Sequence, residues 1–494
     1  MPLHLYNTLS GTVEEFQPLR GNEVRMYACG PTVYDYGHIG NFRTFVAVDL
    51  LHRFLRQSGY EVRYVMNITD VDDKIIRNAA RDGLSVQQYT APYEKAFQED
   101  SDLLNIRRPE STPHATDYID AMAKFVADLE RKGFAYRTED GSYYFRIAKF
   151  ADYGKLSKRD FDGMNDGARV DVDEYEKDSA RDFALWKAPK PGEASWDTAI
   201  GMGRPGWHLE CSVMSMAALG ETLDLHAGGE DLMFPHHENE IAQSESMTGK
   251  TFARFWMHAR FLLVEGEKMS KSSGNFFTPR DLILKGFKPS SIRYLLASVP
   301  YRNQLNFTFD GLRQAAASVE RLRNFRQRLT EGSFQEGEDT ELRQLAEETS
   351  ARMRAALEDD LNTAQAQAAI FEMVRAANVA MDGGQMRKNN TVPFLTVLAQ
   401  FDEIFAVLQD DDATKMRSTI EWAKASGRQD ISQEALAAAG ASGPTDEVVE
   451  GKITEMEQAR KTKNFPLSDK LRAELAADGI VVEITKDGIR WKRK

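Results

Sequence analysis

The order strand, turn-rich loop, helix, strand between residues 24 and 68 constrains this chain more than any other feature. Residues 24–28 (VRMYA) read as a short buried strand, and the loop CGPTVYDYGHIGN follows it. Over 42–57 the apolar residues recur at helical spacing. Phe42, Val46, Leu50 and Phe54 form one stripe, with Phe45, Leu51 and Leu55 beside it. Residues 62–68 (VRYVMNI) read as the next strand. Such a unit predicts a parallel sheet, because the helical crossover returns the second strand alongside the first in the same direction.

Length and composition bound the rest. At roughly 100–200 residues per domain, a chain of 494 residues makes about three domains with a sizeable core. A hydrophobic fraction of 42% and a charged fraction of 28% exclude a wholly disordered or fibrous chain. No apolar run is long enough for a membrane-spanning helix. The opening MPLHLYNTLSGTVEEF lacks a basic stretch followed by an apolar one, so no secretory signal is expected. The net charge of −13 disfavours indiscriminate nucleic-acid binding but leaves room for a local basic face. Two cysteines, Cys29 and Cys211, exclude a disulfide scaffold and point to a reducing compartment.

Residues 85–130 have helical character. From 134 to 205 the pattern turns irregular, with YYFRI strand-like, and predicts an insertion in the sheet. The α/β pattern resumes at Gly206. WHLECSVM is strand-like, LDLHAGGED follows, then a helix over HHENEIAQSE with Pro235 in its first turn, then the strand-like FWMHARFLLV. Beyond 310, Ala-, Arg-, Leu- and Glu-rich helices run to about 409, broken at 331–340 and 382–390, and a loose stretch spans 425–446. The end pairs a basic helix with VVEITKDGIRWK, where Asp487 and Gly488 form a hairpin turn.

Two short segments carry chemistry. His38-Ile39-Gly40-Asn41 lies between a strand and a helix start, where free N–H groups and the positive dipole end suit phosphate. Gly40 lets a nucleotide approach the backbone. Read alone, the tetrapeptide is equally a capped helix with a surface histidine. Lys268-Met269-Ser270-Lys271-Ser272, far downstream, offers two lysines on a polar loop, suited to a triphosphate and its departing pyrophosphate.

Together HIGN and KMSKS resemble the two signatures of class I aminoacyl-tRNA synthetases. CGPTVYDYGHIGN, NITDVDDKI, RPGWHLECS, DLMFPHHENEIAQ and DDLNTAQAQAAIF resemble the cysteinyl-tRNA synthetase subgroup, over nearly the whole chain. Asn41 departs from the commonest signature, which has a second His there. The resemblance implies a Rossmann-type parallel-sheet catalytic domain with an insertion, then an α-helical bundle and a small C-terminal α/β anticodon-binding domain. The expected segments are 1–133 and 206–265 for the two catalytic halves and 134–205 for the insertion. The KMSKS loop and stem-contact region would take 266–310, the bundle 311–424 and the anticodon-binding domain 447–494. The insertion looks too short and irregular for an editing domain.

Cys29, Cys211, His236 and Glu240 form a donor set for one tetrahedral Zn²⁺, with His236 and Glu240 four apart on the expected helix. Spacing leaves His237 as an alternative and two buried thiols as the plain reading; the resemblance selects Cys29, Cys211, His236 and Glu240. The metal would read sulfur directly, since soft thiolate binds zinc and a serine hydroxyl does so poorly. The resemblance also places Thr69, Trp207 and His226 at the cysteine pocket and Asp231 at the ATP ribose. It gives His38 and Asn41 to the α-phosphoryl group, and Gly40, Lys268 and Lys271 to ATP. Asp70, Asp72 and Asp73 read as a capped helix start rather than a metal site.

Arg313, Arg321, Arg323, Arg326 and Arg328, with the tail RWKRK, suit RNA phosphates and an unpaired base. The expected partners are tRNA(Cys), L-cysteine and ATP with Mg²⁺, for a cytoplasmic, monomeric enzyme with no membrane partner. Alternatives are a cysteine–amino-sugar ligase of thiol-cofactor synthesis and an inactive zinc-stabilised RNA binder. A zinc hydrolase fits poorly, since HHENE is not HExxH.

Overall fold

The computed structural model describes residues 2–158, 182–190, 192–270, 273–440, 446–485 and 488–493. Two short strands, β1 (His4–Asn7) and β2 (Thr12–Glu15), pair antiparallel ahead of the strand–helix–strand unit. That unit is β3 (Glu23–Ala28), α1 (Ile39–Gln57) and β4 (Glu61–Met66), with β3 and β4 parallel. α1 begins before its hydrophobic stripe because His38 caps it and Ile39 is wholly buried. Asp72 caps α2 (Asp73–Asp82) by accepting the Ile75 N–H at 2.6 Å, as the acidic cluster predicts. α3 (Val86–Leu103) and α4 (Ile119–Arg131) follow.

The insertion is more regular than its sequence suggests. Its described part forms an antiparallel sheet of β5 (Ala135–Arg137), β6 (Tyr143–Phe145), β7 (Phe183–Lys187) and β8 (Arg204–Pro205), in that order. Strands this short show no alternation in sequence. Residues 159–181 lie outside the described residues.

Cys211 sits on a helix, α5 (Trp207–Leu219), and not on a strand. The run is apolar around most of its circumference and largely buried, and periodicity cannot separate such a helix from a core strand. Next come β9 (Leu223–Gly229), α6 (Glu238–Thr248) and β10 (Ala253–Ala259). Pro235 lies ahead of α6, in a wide turn over Met233–His237 entered through a cis Phe234–Pro235 bond, so it does not occupy the helix's first turn.

The main sheet is parallel in the order β10-β9-β3-β4. The connection from β3 leads outward to β4 and that from β9 outward to β10. The crevice between the carboxyl ends of β3 and β9 is therefore the switch point where such sheets take ligands. The run FWMHARFLLV divides between β10 and β11 (Leu262–Val264). β11 belongs to a second sheet with β12 (Glu267–Lys268) and β13 (Leu305–Phe307).

Helices α7 (Pro279–Leu284), α8 (Pro289–Ala297), α9 (Phe309–Glu331), α10 (Thr340–Glu358), α11 (Thr363–Asp382), α12 (Lys388–Phe405), α13 (Asp412–Ala425) and α14 (Gln433–Ala438) follow. A single apolar cluster runs from Leu3 through Val24, Phe42 and Leu225 to Phe401 and Ala439, joining sheet and helices. Two buried arginines pin the join. Arg43 of α1 donates to the carbonyls of Leu296, Val299 and Pro300. Arg293 of α8, fully buried, donates to Asp49 of α1 at 2.5 Å and to the carbonyls of Leu104 and Phe405.

The C-terminal segment pairs α15 (Asp446–Lys461) and α16 (Phe465–Ala477) with the hairpin β14 (Ile480–Thr485) and β15 (Gly488–Arg493). It has its own core of Val449, Met456, Leu475 and Ile480. Asp487 of the expected turn is outside the described residues. Among the described residues, no helix is long and apolar enough to cross a membrane.

Candidate active site

A cavity of about 550 Å³ opens at the switch point, and Cys29, His38, Thr69, Trp207, Asp231 and His236 are among its walls. Each element delivers its residue from its end: Cys29 follows β3, Thr69 follows β4, and Asp231 follows β9. His38 accepts the Asn41 N–H on Nδ1 at 3.1 Å, and the Asn41 side-chain oxygen accepts the His38 N–H at 3.0 Å. The loop after KMSKS lies against this turn. Ile39 N–H donates to the Phe277 carbonyl at 2.9 Å, and the Phe276 ring stands edge-on to His38. Lys268 is exposed on β12 and is not on the cavity wall. Lys271 lies outside the described residues.

Behind the cavity is a buried cluster. One donor atom from each of Cys29, Cys211, His236 and Glu240 lies within 4.8 Å of the others, and all four residues are buried. The sulfurs are 3.7 Å apart and are free thiols. That matches the edge of a tetrahedron with Zn–S bonds of about 2.3 Å, which is about 3.8 Å. Two thiols, an imidazole and a carboxylate are thus gathered in the interior, which is the donor chemistry a zinc ion takes. The residues fit the metal. Cys29, His226, His237 and Glu240 form a second overlapping group. The first supplies two sulfurs and suits a soft metal better.

Electrostatics follow the burial. Desolvation drives the Cys29 thiol well up. Burial also opposes ionisation of Glu240, but His226 and His236 outweigh it and hold the carboxyl at about 2. Glu240 is thus a charged acceptor between two imidazoles, 2.8 Å from His226 Nε2 and 3.0 Å from His236 Nε2. His226 is fully buried beside Glu240. Its ring faces inward because β9 alternates its side chains across the sheet.

Thr69 and Trp207 do line the cavity, and the Trp207 indole stacks on His236 with centroids 4.3 Å apart. Sequence reasoning missed Asn67. Its side chain accepts the Gly30 N–H and donates to the Thr69 hydroxyl, both at 3.0 Å, so it ties the ends of β3 and β4 beneath the cavity. Its only signal was a polar residue ending an apolar strand.

The basic residues expected on the RNA side are largely occupied. Arg323 pairs with Asp412 at 2.6 Å, Arg328 with Asp382, and Arg313 with Asp310, while Arg321 lies over the Phe371 ring. In the tail, Arg490 reaches Glu331 at 3.4 Å and Trp491 packs on the C-terminal core.

Residues 15–317 match the family of the class I (C) tRNA synthetase catalytic domain, and 352–409 match the DALR domain. With a parallel sheet that carries a capped HIGN helix at its switch point, this match makes the chain a class I tRNA synthetase. The chain is 65% identical to the cysteine–tRNA ligase of Koribacter versatilis over all of both chains, and 55% identical to that of Solibacter usitatus, again over both full lengths. It belongs to the cysteine–tRNA ligase family. The methionyl-tRNA synthetase of Mycobacterium tuberculosis bound to methionyl-adenylate shares the fold, with a TM-score of 0.57 at 16% identity, over 86% of this chain and 95% of that one.

Proposed function

We propose that this chain activates L-cysteine with ATP to cysteinyl-adenylate and transfers the cysteinyl group to the 3′ end of tRNA(Cys). The observation that carries this reading is the four-donor cluster, of which Cys29, Cys211 and His236 line the same cavity as His38 and Asp231. A cavity that merely fitted the side chain would separate cysteine from serine by only roughly 10–200-fold. A zinc ion held by Cys29, Cys211, His236 and Glu240 would supply a soft acceptor for the substrate sulfur.

The chain's own residues do the rest. Thr69, oriented by Asn67, and Trp207 bound the amino acid. Its carboxylate, already ionised at neutral pH, attacks the α-phosphorus, and the bond to the β-phosphate breaks, so no general base is needed. His38 and Asn41 serve the α-phosphoryl group, Asp231 meets the ribose, Gly40 gives the nucleotide backbone access, and Lys268 and Lys271 take the departing phosphates. Mg²⁺ accompanies ATP. Catalysis is positioning plus electrostatics. The C-terminal segment, a module with its own core, binds the anticodon, a part that a small-molecule cysteine ligase does not need.

Two assays test the reading. ATP–pyrophosphate exchange must depend on cysteine, and tRNA(Cys) must be charged without an amino sugar. Exchange without charging would point to the amino-sugar ligase, and no exchange to an RNA binder.

A further inference from the structure

Two of the proposed metal donors, His236 and Glu240, flank the start of α6, and that start has no side-chain cap of its own. His237 stands at the cap position and accepts no N–H there. What holds this turn comes from a distant part of the chain. Residues 150–158 of the insertion, between β6 and β7, lie against it as a strap. The Glu238 side chain is wholly buried and reaches into the strap. Its Oε1 accepts the Gly154 N–H at 2.9 Å and the Leu156 N–H at 3.3 Å, and its Oε2 accepts the Ser157 N–H at 2.8 Å. Gly154, at φ +97°, turns the backbone so that these N–H groups converge on one carboxylate.

Neighbouring contacts run in the same direction. The Tyr153 hydroxyl donates to the Asn239 side-chain oxygen at 2.5 Å, and the Lys155 ammonium reaches Glu245, two turns along α6. Leu156 is buried in the small apolar cluster that also holds Cys29, Cys211 and Ile241. None of the residues 150–158 lines the cavity, so the strap acts on the site from behind.

An acid in the first turn of a helix is favoured by the dipole even when solvated. Burying it completely is costly unless both oxygens are met by donors, and here three backbone N–H groups meet them. Glu238 lies two residues after His236 and two before Glu240, so a shift of its backbone displaces both donors. We propose that Glu238 is a positioning residue for the metal: it ties the first turn of α6 to the strap and so holds His236 and Glu240 facing Cys29 and Cys211. This deepens the reading above and rests on it, since those four residues must be the donors. Strap and metal then favour the same placement of α6, and by reciprocity each tightens the other.

The test uses the full-length protein, stripped of metal and titrated with Co²⁺. Glu238→Gln keeps one acceptor oxygen but turns an NH₂ group toward strap N–H groups. It is expected to weaken Co²⁺ binding by about 10- to 100-fold, while the absorption bands at saturation match those of the wild type. Undiminished affinity in the folded variant would overturn the proposal. Altered bands would make Glu238 a ligand and would overturn it too. In ATP–pyrophosphate exchange at limiting zinc, the KM for cysteine should rise and the KM for ATP should not; equal rises would mean general loosening and count against a positioning role. A second measurement needs no variant. Removing the metal from wild-type protein should speed hydrogen exchange at the Gly154, Leu156 and Ser157 amides by about 10-fold or more, with α16 amides unchanged. Identical strap rates with and without metal would refute the proposal even if the variant failed to fold. A wild-type protein that binds no Co²⁺ through two thiolates would instead sink the reading of the four donors on which the proposal rests.

Discussion

Removing the metal should cost this protein its preference for cysteine over serine far more than it costs the fold. The two substrates differ in one atom. Around the cavity, Asn67, Thr69 and Trp207 are held by one another or by His236, and none of these contacts distinguishes sulfur from oxygen. Shape alone then leaves selectivity at roughly 200-fold or less, whereas a soft metal site should exceed that by orders of magnitude. The perturbation is exhaustive chelation, followed by exchange assays with cysteine and serine before and after zinc is restored. Circular dichroism would show that the metal-free protein remains folded. Cys211→Ser identifies the donors. If Cys29, Cys211, His236 and Glu240 are the ligands, it should weaken metal binding by at least about 100-fold, and X-ray absorption on wild-type protein should count two sulfurs. If the overlapping set with His226 and His237 holds the ion, Cys211→Ser should spare metal binding and only one sulfur should appear. A folded, verifiably metal-free protein that still prefers cysteine by more than about 200-fold would refute the reasoning.

Other consequences can be checked more quickly. Gly30→Ala should empty the metal site while preserving helical content, because a Cβ there would fall 1.7 Å from the Asn67 carbonyl oxygen and force apart the strand ends that carry Cys29 and Asn67; metal analysis reads the loss. Arg293→Met should destabilise the protein by about 3–5 kcal/mol in urea titrations, since it leaves Asp49 buried beside Arg53 with one partner gone. Burial resists ionisation of Asp49, but Arg293 and Arg53 outweigh it and hold its carboxyl below the ordinary value. A depressed folded-state value means the stabilisation is complete above about pH 4 and is lost as pH falls through that lower value. Asp49→Asn should therefore flatten the acid limb of a Tm-versus-pH curve, and parallel curves would count against the ion-pair assignment. Lys271→Ala should slow adenylate formation far more than it weakens cysteine binding in equilibrium dialysis; equal losses would argue against its role at the departing phosphates.

The parts of the fold that were legible share a cause. The β3–α1–β4 unit shows in the sequence because α1, though buried on most sides, carries Arg43, Asp49, His52 and Arg53 off its apolar stripe, which keeps the stripe visible, and its ends carry turn chemistry. The Cys29 and His38 positions followed directly, one where a strand meets a loop and the other where that loop meets a helix. α5 was misread as a strand because burial on nearly all sides erases the helical stripe. Of the insertion's sheet only β6 was legible, as the strand-like YYFRI, because strands of two to five residues are too short to alternate. The contact of the His226 ring with Glu240 was not legible, since sequence does not tell which way a side chain of a fully buried strand faces. The occupied arginines of α9 show the same limit. Composition marks a basic helix, but only packing shows that Arg323 is spent on Asp412.

The arginine pins between α1 and α8 also bear on how the molecule opens. With sheet and helices closed over a common apolar interior, neither half has a separate melting event available to it. Amides in α1 and in α12 should exchange with solvent at one shared opening free energy, and the long helical arm should transmit displacement as a stiff strut does. The terminal module, with an interior of its own, is free of that constraint and can unfold by itself while the cysteine-activating centre stays shut.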